Sequence, residues 1–170
     1  MAKNLSKLQP VYDAAQCAVW ILEVIKLSEK FTLEELNGLL PILMDGYTGY
    51  SGIYPVSIEE GKAVCEIKIE KHHLNPVNGV HGGCLYTLAD VAGGLACRSA
   101  GYKCITTMTS SVNFMRAGLG CEKIIGTGTV LKAGKNTITV DVEITDDKGK
   151  VLTKVISTYF VLDDSLMRKK

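Results

Sequence analysis

One short segment of the chain brings together three kinds of side chain that can act on a carbonyl group. The segment is "HLNPVNGVHGGCLYTLAD", residues 73–90, and it contains Asn75, His81, a glycine pair at Gly82 and Gly83, and Asp90. Glycines at the start of a helix leave backbone N–H groups free to stabilise an oxygen that becomes negative. A carboxylate can act as a general base or as a nucleophile. This combination suits hydrolysis at a carbonyl carbon.

A single helix is expected to carry the glycines and the acid. The stretch "GGCLYTLADVAGGLACRS", residues 82–99, is small and apolar almost all the way round, and Asp90 is its only acid. A helix that is apolar on every side is typical of a helix buried on every side. We therefore expect other elements to surround it.

Alternating apolar and polar residues predict the strands that would surround this helix. One such run precedes the helix and four follow it: "AVCEIKIE", then "CITTMTSSVNFMRA", "KIIGTGTVLKAGK", "NTITVDVEITD" and "KVLTKVISTYFVL". The order is a strand pair, one helix and a run of antiparallel strands with short turns. We predict an α+β hotdog fold, in which a strongly curved antiparallel sheet wraps around one central helix.

The first 48 residues differ in pattern from the rest of the chain. Residues 8–30 carry a broad apolar stripe at helical spacing, and Thr32 with Glu35 matches a capping box for a second helix. We predict a helical N-terminal extension at 1–48, a hotdog domain at 49–163 and a disordered tail at 164–170.

Composition and charge exclude several classes of protein. The 170 residues have a formal net charge of +1, so no global field attracts nucleic acid or a membrane. The six cysteines form no CxxC pair and show no metal-ligand spacing, which favours reduced, buried thiols; Cys84 is expected to be one of these. No signal peptide or membrane span is evident. We expect a soluble cytoplasmic protein without a metal ion.

The spacing of the segment's polar residues resembles a family signature. Asn75 is followed six residues later by His81-Gly82-Gly83, and Asp90 lies nine residues after the histidine. In this respect "NPVNGVHGGCLYTLADVAGG" resembles hotdog-fold acyl-CoA thioesterases, in the phenylacetic-acid-degradation (PaaI-like) and thioesterase superfamily member 2 branch. The resemblance covers roughly residues 50–162. It implies hydrolysis of an acyl-CoA thioester, with coenzyme A as part of the substrate and no separate cofactor.

The resemblance also implies a role for each residue of the segment. The backbone N–H of Gly82 would stabilise the oxyanion, and His81 would anchor the loop or contact the thioester region. Asn75 would hold the attacking water or polarise the carbonyl group. Asp90 would be the general base, or a nucleophile that passes through an anhydride; the sequence does not choose.

Further candidates concern substrate binding. Thr107 and Thr109 stand where relatives carry a polar residue that faces the thioester, and Gly83 and Arg116 are added to the substrate-binding set. Apolar residues of the helix and the next strand could form an acyl slot that favours medium-length or aromatic acyl groups; they are Leu85, Leu88, Ala89, Val91, Leu95, Val112 and Phe114. His72 and His73 are expected at the surface or at a strand end.

The distance between the two catalytic candidates on the helix bears on the oligomeric state. Asp90 follows Gly82 by eight residues, which is roughly 12 Å at about 1.5 Å per residue. Both groups cannot reach one carbonyl carbon from the same chain. We expect a homo-oligomer, a dimer or a dimer of dimers, with sites shared between two subunits; the family is built in the same way.

Two other functions remain open. A hotdog dehydratase or hydratase acts on acyl thioesters but pairs its histidine and acid in a different local pattern. A non-catalytic acyl-CoA binder or sensor would use the same fold without hydrolysis. A DNA-binding sensor is disfavoured, because residues 1–50 contain four basic and six acidic residues and no basic recognition helix.

Overall fold

The computed structural model describes residues 46–162. The helices predicted at 8–30 and from Thr32, and the tail at 164–170, lie outside this range and stay predictions. The described elements, in chain order, are α1 (Gly46–Tyr50), β1 (Ile53–Glu59), β2 (Lys62–Lys68), a 3₁₀ turn (Lys71–His73), α2 (Gly82–Ser99), β3 (Ile105–Phe114), β4 (Lys123–Ala133), β5 (Thr137–Asp146) and β6 (Val151–Val161).

The six strands form one antiparallel sheet in the order β1-β2-β4-β5-β6-β3. Helix α2 lies across one face of this sheet and contacts all six strands. Inward-facing residues of β5, among them Ile138, Val140, Val142 and Ile144, are fully buried beneath it. The predicted hotdog fold is confirmed, and α2 has the predicted bounds.

Two glycines of β4 allow the helix to lie close to the sheet. A Cβ atom at Gly128 would come within 2.7 Å of the Ala92 carbonyl oxygen, and one at Gly126 within 2.9 Å of the Leu88 side chain. A larger residue at Gly128 would collide with the backbone of the helix, and one at Gly126 would displace the side chains of Leu88 and Ile144. The close packing therefore depends on small residues of the sheet as well as of the helix.

Within residues 46–162, helix α2 is buried on its sheet side only, so the described part of one chain does not provide the predicted burial on every side. Its remaining residues recur every three or four positions and are half-buried or, for Gly83, exposed. We call this set the open stripe; it comprises Gly82, Gly83, Tyr86, Thr87, Asp90, Val91, Gly94 and Arg98. A six-stranded sheet from one chain is not large enough to enclose the helix.

The sequence pattern did not predict the bounds of β1 or the presence of α1. Strand β1 contains Pro55 and a register shift between Pro55 and Ser57, so its buried residues do not alternate regularly. Helix α1 begins at Gly46 and includes Gly49, in a stretch whose glycines indicate broken structure. Within residues 46–162, no helix is long and apolar enough to cross a membrane.

Candidate active site

The Asp90 carboxylate lies where α2 faces the edge strand β3. The Thr107 hydroxyl of β3 donates a hydrogen bond to Asp90 Oδ1 at 2.7 Å. The Tyr159 hydroxyl of β6 donates to the Asp90 backbone oxygen at 2.9 Å and also lies 3.5 Å from Oδ1. Among the described residues no group bonds to Oδ2. Oδ1 therefore accepts the Thr107 proton and lies near the Tyr159 hydroxyl, whose single proton is directed to the backbone oxygen, and Oδ2 is left open.

Tyr159 is a member of the site that the sequence did not reveal. Its side chain is almost completely buried, and burial together with the Asp90 charge raises the pKa of its phenol well above the usual range. The hydroxyl therefore remains a proton donor. Gly93 makes room for it, because a Cβ atom at this position would overlap the Tyr159 oxygen.

The start of α2 is organised by His81. Its Nδ1 accepts a hydrogen bond from the Gly83 N–H at 2.9 Å, and its own backbone N–H donates to the His73 carbonyl at 2.8 Å. The Gly83 N–H is thus already engaged as part of the helix cap. The Gly82 N–H has no partner among the described residues, and a Cβ at Gly82 would lie 3.3 Å from the Phe114 ring. The Gly82 N–H is therefore an unpaired donor that lies close to the Phe114 ring.

Asn75 shapes the loop that leads into α2. Its Oδ1 accepts hydrogen bonds from the backbone N–H groups of Val77 at 3.1 Å and Gly79 at 3.0 Å. The left-handed turn at Asn78, with φ of 60°, completes this loop. The amide oxygen is thus occupied as an acceptor, and the Nδ2 group remains as the donor that could bind a water molecule or a substrate.

A cleft of about 650 Å³ runs between the beginning of α2 and β3. It is lined by Gly82, Gly83, Tyr86, Thr107, Met108, Thr109, Ser110, Val112 and Phe114. The structure thus brings together four of the predicted site residues, Gly82, Gly83, Thr107 and Thr109, and Thr107 links the cleft to Asp90.

A bulge in β3 changes which polar residues face the helix. The register with β6 shifts between Thr107 and Thr109, so the half-buried positions change from Ile105 and Thr107 to Ser110 and Val112. Ser110 then bonds to the Tyr86 hydroxyl at 3.0 Å. Regular alternation would have placed Thr109 there, and neither Ser110 nor Tyr86 was anticipated.

Some predicted binding residues lie elsewhere. The Arg116 guanidinium donates to the Val151 carbonyl at 2.9 Å, at the exposed end of β3, and does not line the cleft. Four residues of the predicted acyl slot belong to the buried core instead and also do not line the cleft; they are Leu85, Leu88, Ala89 and Leu95. Val112 and Phe114 do line it.

His73 was expected at the surface or at a strand end; it is buried, at the end of the 3₁₀ turn that follows β2, so a surface position is wrong for it. Its Nδ1 accepts from the Glu70 N–H at 3.0 Å, and its Nε2 lies 3.2 Å from the Ser51 carbonyl oxygen, to which it donates. Burial, and then the neighbouring His72, lower the pKa of His73. The neutral ring therefore ties the segment before β1 to the loop before α2.

The cysteines of the described residues are free thiols. Cys65, Cys84, Cys97 and Cys104 are buried and Cys121 is half-buried, as the sequence indicated; Cys17 lies outside the described residues. Burial, followed by the neighbouring Cys121, raises the pKa of Cys84 to about 11, which disfavours a nucleophilic thiolate. Within residues 46–162, no three His, Cys, Asp or Glu side chains form a group that could hold a metal ion.

The chain is similar to known thioesterases in both sequence and fold. Residues 78–153 match the model of the thioesterase superfamily. The acyl-coenzyme A thioesterase PaaI of Escherichia coli is 33% identical over 101 residues, which cover 59% of this chain and 71% of that protein. Human acyl-coenzyme A thioesterase 13 is 33% identical over 102 residues, which cover 58% of this chain and 72% of that protein.

Solved structures agree with this relationship. The structure of E. coli PaaI superposes with a TM-score of 0.69 at 27% identity, covering 75% of this chain and 92% of that one. A hypothetical thioesterase of Streptococcus pneumoniae, solved with coenzyme A, superposes with a TM-score of 0.66 at 29% identity and covers 73% of this chain and 96% of that one. Together with the hotdog fold and the Asn-His-Gly-Gly-Asp spacing, these similarities show that the chain belongs to the thioesterase superfamily, in its PaaI-like hotdog branch.

Proposed function

We propose that this protein hydrolyses acyl-CoA thioesters to a free acid and coenzyme A. The observation that carries the proposal is the position of Asp90: its carboxylate is held through Oδ1 by Thr107, which lines a cleft, and no described residue bonds to Oδ2. Relatives named as acyl-coenzyme A thioesterases, and a related structure solved with coenzyme A, support the same reaction and substrate class.

In the general-base form of the reaction, Asp90 accepts a proton from water while the water oxygen bonds to the thioester carbon. The carbonyl electron pair moves to its oxygen, which the Gly82 N–H stabilises. When the carbonyl bond reforms, the C–S bond breaks and the proton passes from Asp90 to the departing thiolate. In the nucleophilic form, Asp90 displaces the thiolate itself, and water then hydrolyses the mixed anhydride.

Isotope transfer into Asp90 would identify the nucleophilic form, whereas attack of water on the acyl carbonyl of the anhydride labels only the product acid, as the general-base form does. A single turnover in ¹⁸O-labelled water places the label only in the product acid if Asp90 is a base. Attack of water on the aspartyl carbonyl of an anhydride would place label in Asp90 itself, which peptide mass spectrometry detects.

We propose that each active site draws on two chains. Helix α2 is continuous from Gly82 to beyond Asp90, so eight residues and roughly 12 Å separate the oxyanion donor from the acid. A single carbonyl carbon cannot be in reach of both groups of one chain. Asp90 of one subunit and the Gly82 N–H of its partner would form the site.

Two features of the single chain support a dimer. Strand β3 is ten residues long, lies at the edge of the sheet and contains no fully buried residue. An unpaired edge strand of this length favours association with another strand. The open stripe of α2 also lacks cover within the described residues. A two-fold dimer that pairs these surfaces would give β3 a neighbouring strand and would cover the open stripe. Two such dimers would form the proposed tetramer.

The proposed acyl group is of medium length or aromatic. Met108, Val112 and Phe114 provide the apolar part of the cleft, and the exposed fraction of the Phe114 side chain, 56%, leaves its ring available to a ligand. A shallow apolar cleft discriminates by only about 1–3 kcal/mol per methylene group. We therefore expect a graded preference among acyl chains rather than an absolute one.

Thiol release from a panel of thioesters tests the proposal. The panel contains acetyl-, hexanoyl-, decanoyl- and phenylacetyl-CoA, and hexanoyl-N-acetylcysteamine, which lacks the nucleotide. We expect higher kcat/KM for the longer and aromatic CoA esters than for acetyl-CoA, and poorer hydrolysis of the cysteamine ester. Preference for acetyl-CoA would overturn the acyl assignment. Binding of the CoA esters without thiol release would instead support the non-catalytic binder.

A further inference from the structure

The contacts of the Asp90 carboxylate differ between its two oxygens. Oδ1 accepts the Thr107 hydroxyl at 2.7 Å and lies 3.5 Å from the Tyr159 hydroxyl, whereas no described residue bonds to Oδ2. A carboxylate whose oxygens were equally free could rotate about its terminal torsion, because that torsion is broad and roughly two-fold. Because hydrogen bonds reach Oδ1 and not Oδ2, this rotation of the carboxylate is restricted.

Tyr159 reaches Asp90 through an arrangement that requires two residues. The phenol oxygen donates to the Asp90 backbone oxygen at 2.9 Å, across 69 positions of sequence. It fits there because Gly93, three residues further along α2, has no side chain; a Cβ at Gly93 would overlap the phenol oxygen. A tyrosine and a glycine on different elements are thus matched to place one hydroxyl beside Asp90.

The environment of Tyr159 keeps this hydroxyl a donor at every working pH. The side chain is buried from solvent, with an exposed fraction of 2%, and both burial and the Asp90 charge disfavour ionisation. A buried phenol must bond to some acceptor, and the Asp90 backbone oxygen at 2.9 Å is the one it donates to; Asp90 Oδ1 and the Ser157 hydroxyl also lie beside it. The hydroxyl therefore couples β6 to the position of Asp90.

We propose that Tyr159 is a positioning residue for Asp90: it anchors the Asp90 backbone oxygen and lies beside Oδ1, which Thr107 holds, so that Oδ2 is directed toward water or the thioester. This inference rests on the proposed thioesterase function and adds the residue that orients its acid. Tyr159 is buried behind Asp90 and does not line the cleft, so we expect its effect to pass through Asp90.

The first experiment compares two tyrosine-to-phenylalanine variants. Tyr159→Phe removes only the phenol oxygen, and we expect kcat for hexanoyl-CoA to fall about tenfold while KM changes less than about twofold, because orientation and not binding is lost. Tyr102→Phe is the matched control. The Tyr102 hydroxyl also donates to a backbone carbonyl, that of Gly134 at 3.1 Å, but neither residue touches Asp90 or lines the cleft. Its kcat should equal that of the parent.

Two double variants separate positioning from a general structural effect. Tyr159→Phe in the Asp90→Asn background should cause no further loss of the residual activity, because there is no carboxylate left to orient. Gly93→Ala should lower kcat in the parent, where the new methyl group displaces the phenol oxygen, and have much less effect in the Tyr159→Phe background.

Each outcome bears on one claim. Parental kcat in Tyr159→Phe, or an equal fractional loss in the parent and in the Asp90→Asn background, would overturn the role of Tyr159. Parental activity in Asp90→Asn would overturn the proposed role of Asp90 itself. A loss of kcat confined to Tyr159→Phe and Gly93→Ala, and absent without the carboxylate, is the predicted result.

Discussion

Thr153 differs from the other buried polar side chains of the described residues, because its Oγ1 has no hydrogen-bond partner. A buried hydroxyl without a partner costs free energy on folding. Thr153→Val keeps the branched shape and removes the oxygen. We expect the free energy of unfolding in urea to rise by about 1 kcal/mol or to stay unchanged. A decrease of comparable size would mean that the hydroxyl has a partner in solution.

His73 predicts a pH dependence of stability. Its pKa is lowered in the folded protein by burial and by His72, from an ordinary value of 6.5. As the pH falls below about 6.5, the unfolded chain takes up the proton first. The stability contributed by neutral His73 is therefore present above that pH and is lost as the pH falls toward the lower folded pKa.

Urea unfolding of the parent and of His73→Asn at pH 7.5 and 5.5 measures this effect, at one fixed protein concentration. Asparagine cannot titrate but retains an acceptor for the Glu70 N–H. The drop in unfolding free energy between the two pH values should be smaller in the variant. An equal drop in both proteins would show that His73 is not the titrating group.

The motif residues could be predicted from the sequence, whereas the residues that contact them from distant strands could not. The spacing of Asn75, His81 and Asp90 is local, so it could be recognised and placed on the loop and the helix. Tyr159 could not, because it sits in an ordinary alternating strand and meets Asp90 only when β6 is folded beneath α2. The burial of His73 was hidden for the same reason: its partner Ser51 lies 22 positions away.

At the scale of elements, β4 and α2 are matched by their glycines. A methyl group at Gly128 would meet the backbone of Ala92 and Gly93, which cannot move without moving the helix. We expect Gly128→Ala to lower the free energy of unfolding by roughly 1–3 kcal/mol, as overpacking does. Thr129→Ala, on the exposed face of the same strand, is the control and should change it by less than about 0.5 kcal/mol. Equal stability of both variants would contradict the close packing.

Regular elements were predictable from sequence and irregular ones were not. The bounds of α2 and the existence of β2 to β6 follow from the periodicity of apolar residues. This periodicity is a local property that can be read along the sequence. Strand β1 was not delimited because Pro55 and a bulge interrupt its alternation. The bulge in β3 has no sequence signal, and it decides that Ser110 rather than Thr109 faces Tyr86.

At the scale of the whole molecule, mixing two inactive variants tests the shared site. Asp90→Asn removes the acid. Gly82→Pro removes the oxyanion N–H at the first helical position, where proline is well tolerated, and the extended backbone of His81 suits a following proline. Gly82→Ala retains the N–H but adds a methyl group 3.3 Å from the Phe114 ring, so we expect a smaller loss of activity than in Gly82→Pro.

Equimolar mixing with free subunit exchange makes half of the dimers mixed, and in each of these one of two sites is intact. We therefore expect recovery of about one quarter of parental activity. No recovery despite exchange, demonstrated by mass spectrometry of differently labelled chains, would show that each site lies within one chain.

The most direct test of the account is the turnover of Asp90→Asn beside the parent, measured as thiol release from hexanoyl-CoA. Asparagine has nearly the same shape as aspartate, so the far-ultraviolet circular dichroism spectrum should be unchanged. We predict that kcat falls by about a hundredfold or more, because no carboxylate remains to accept a proton or to attack the thioester. A variant that folds normally and turns over at close to the parental rate would contradict it.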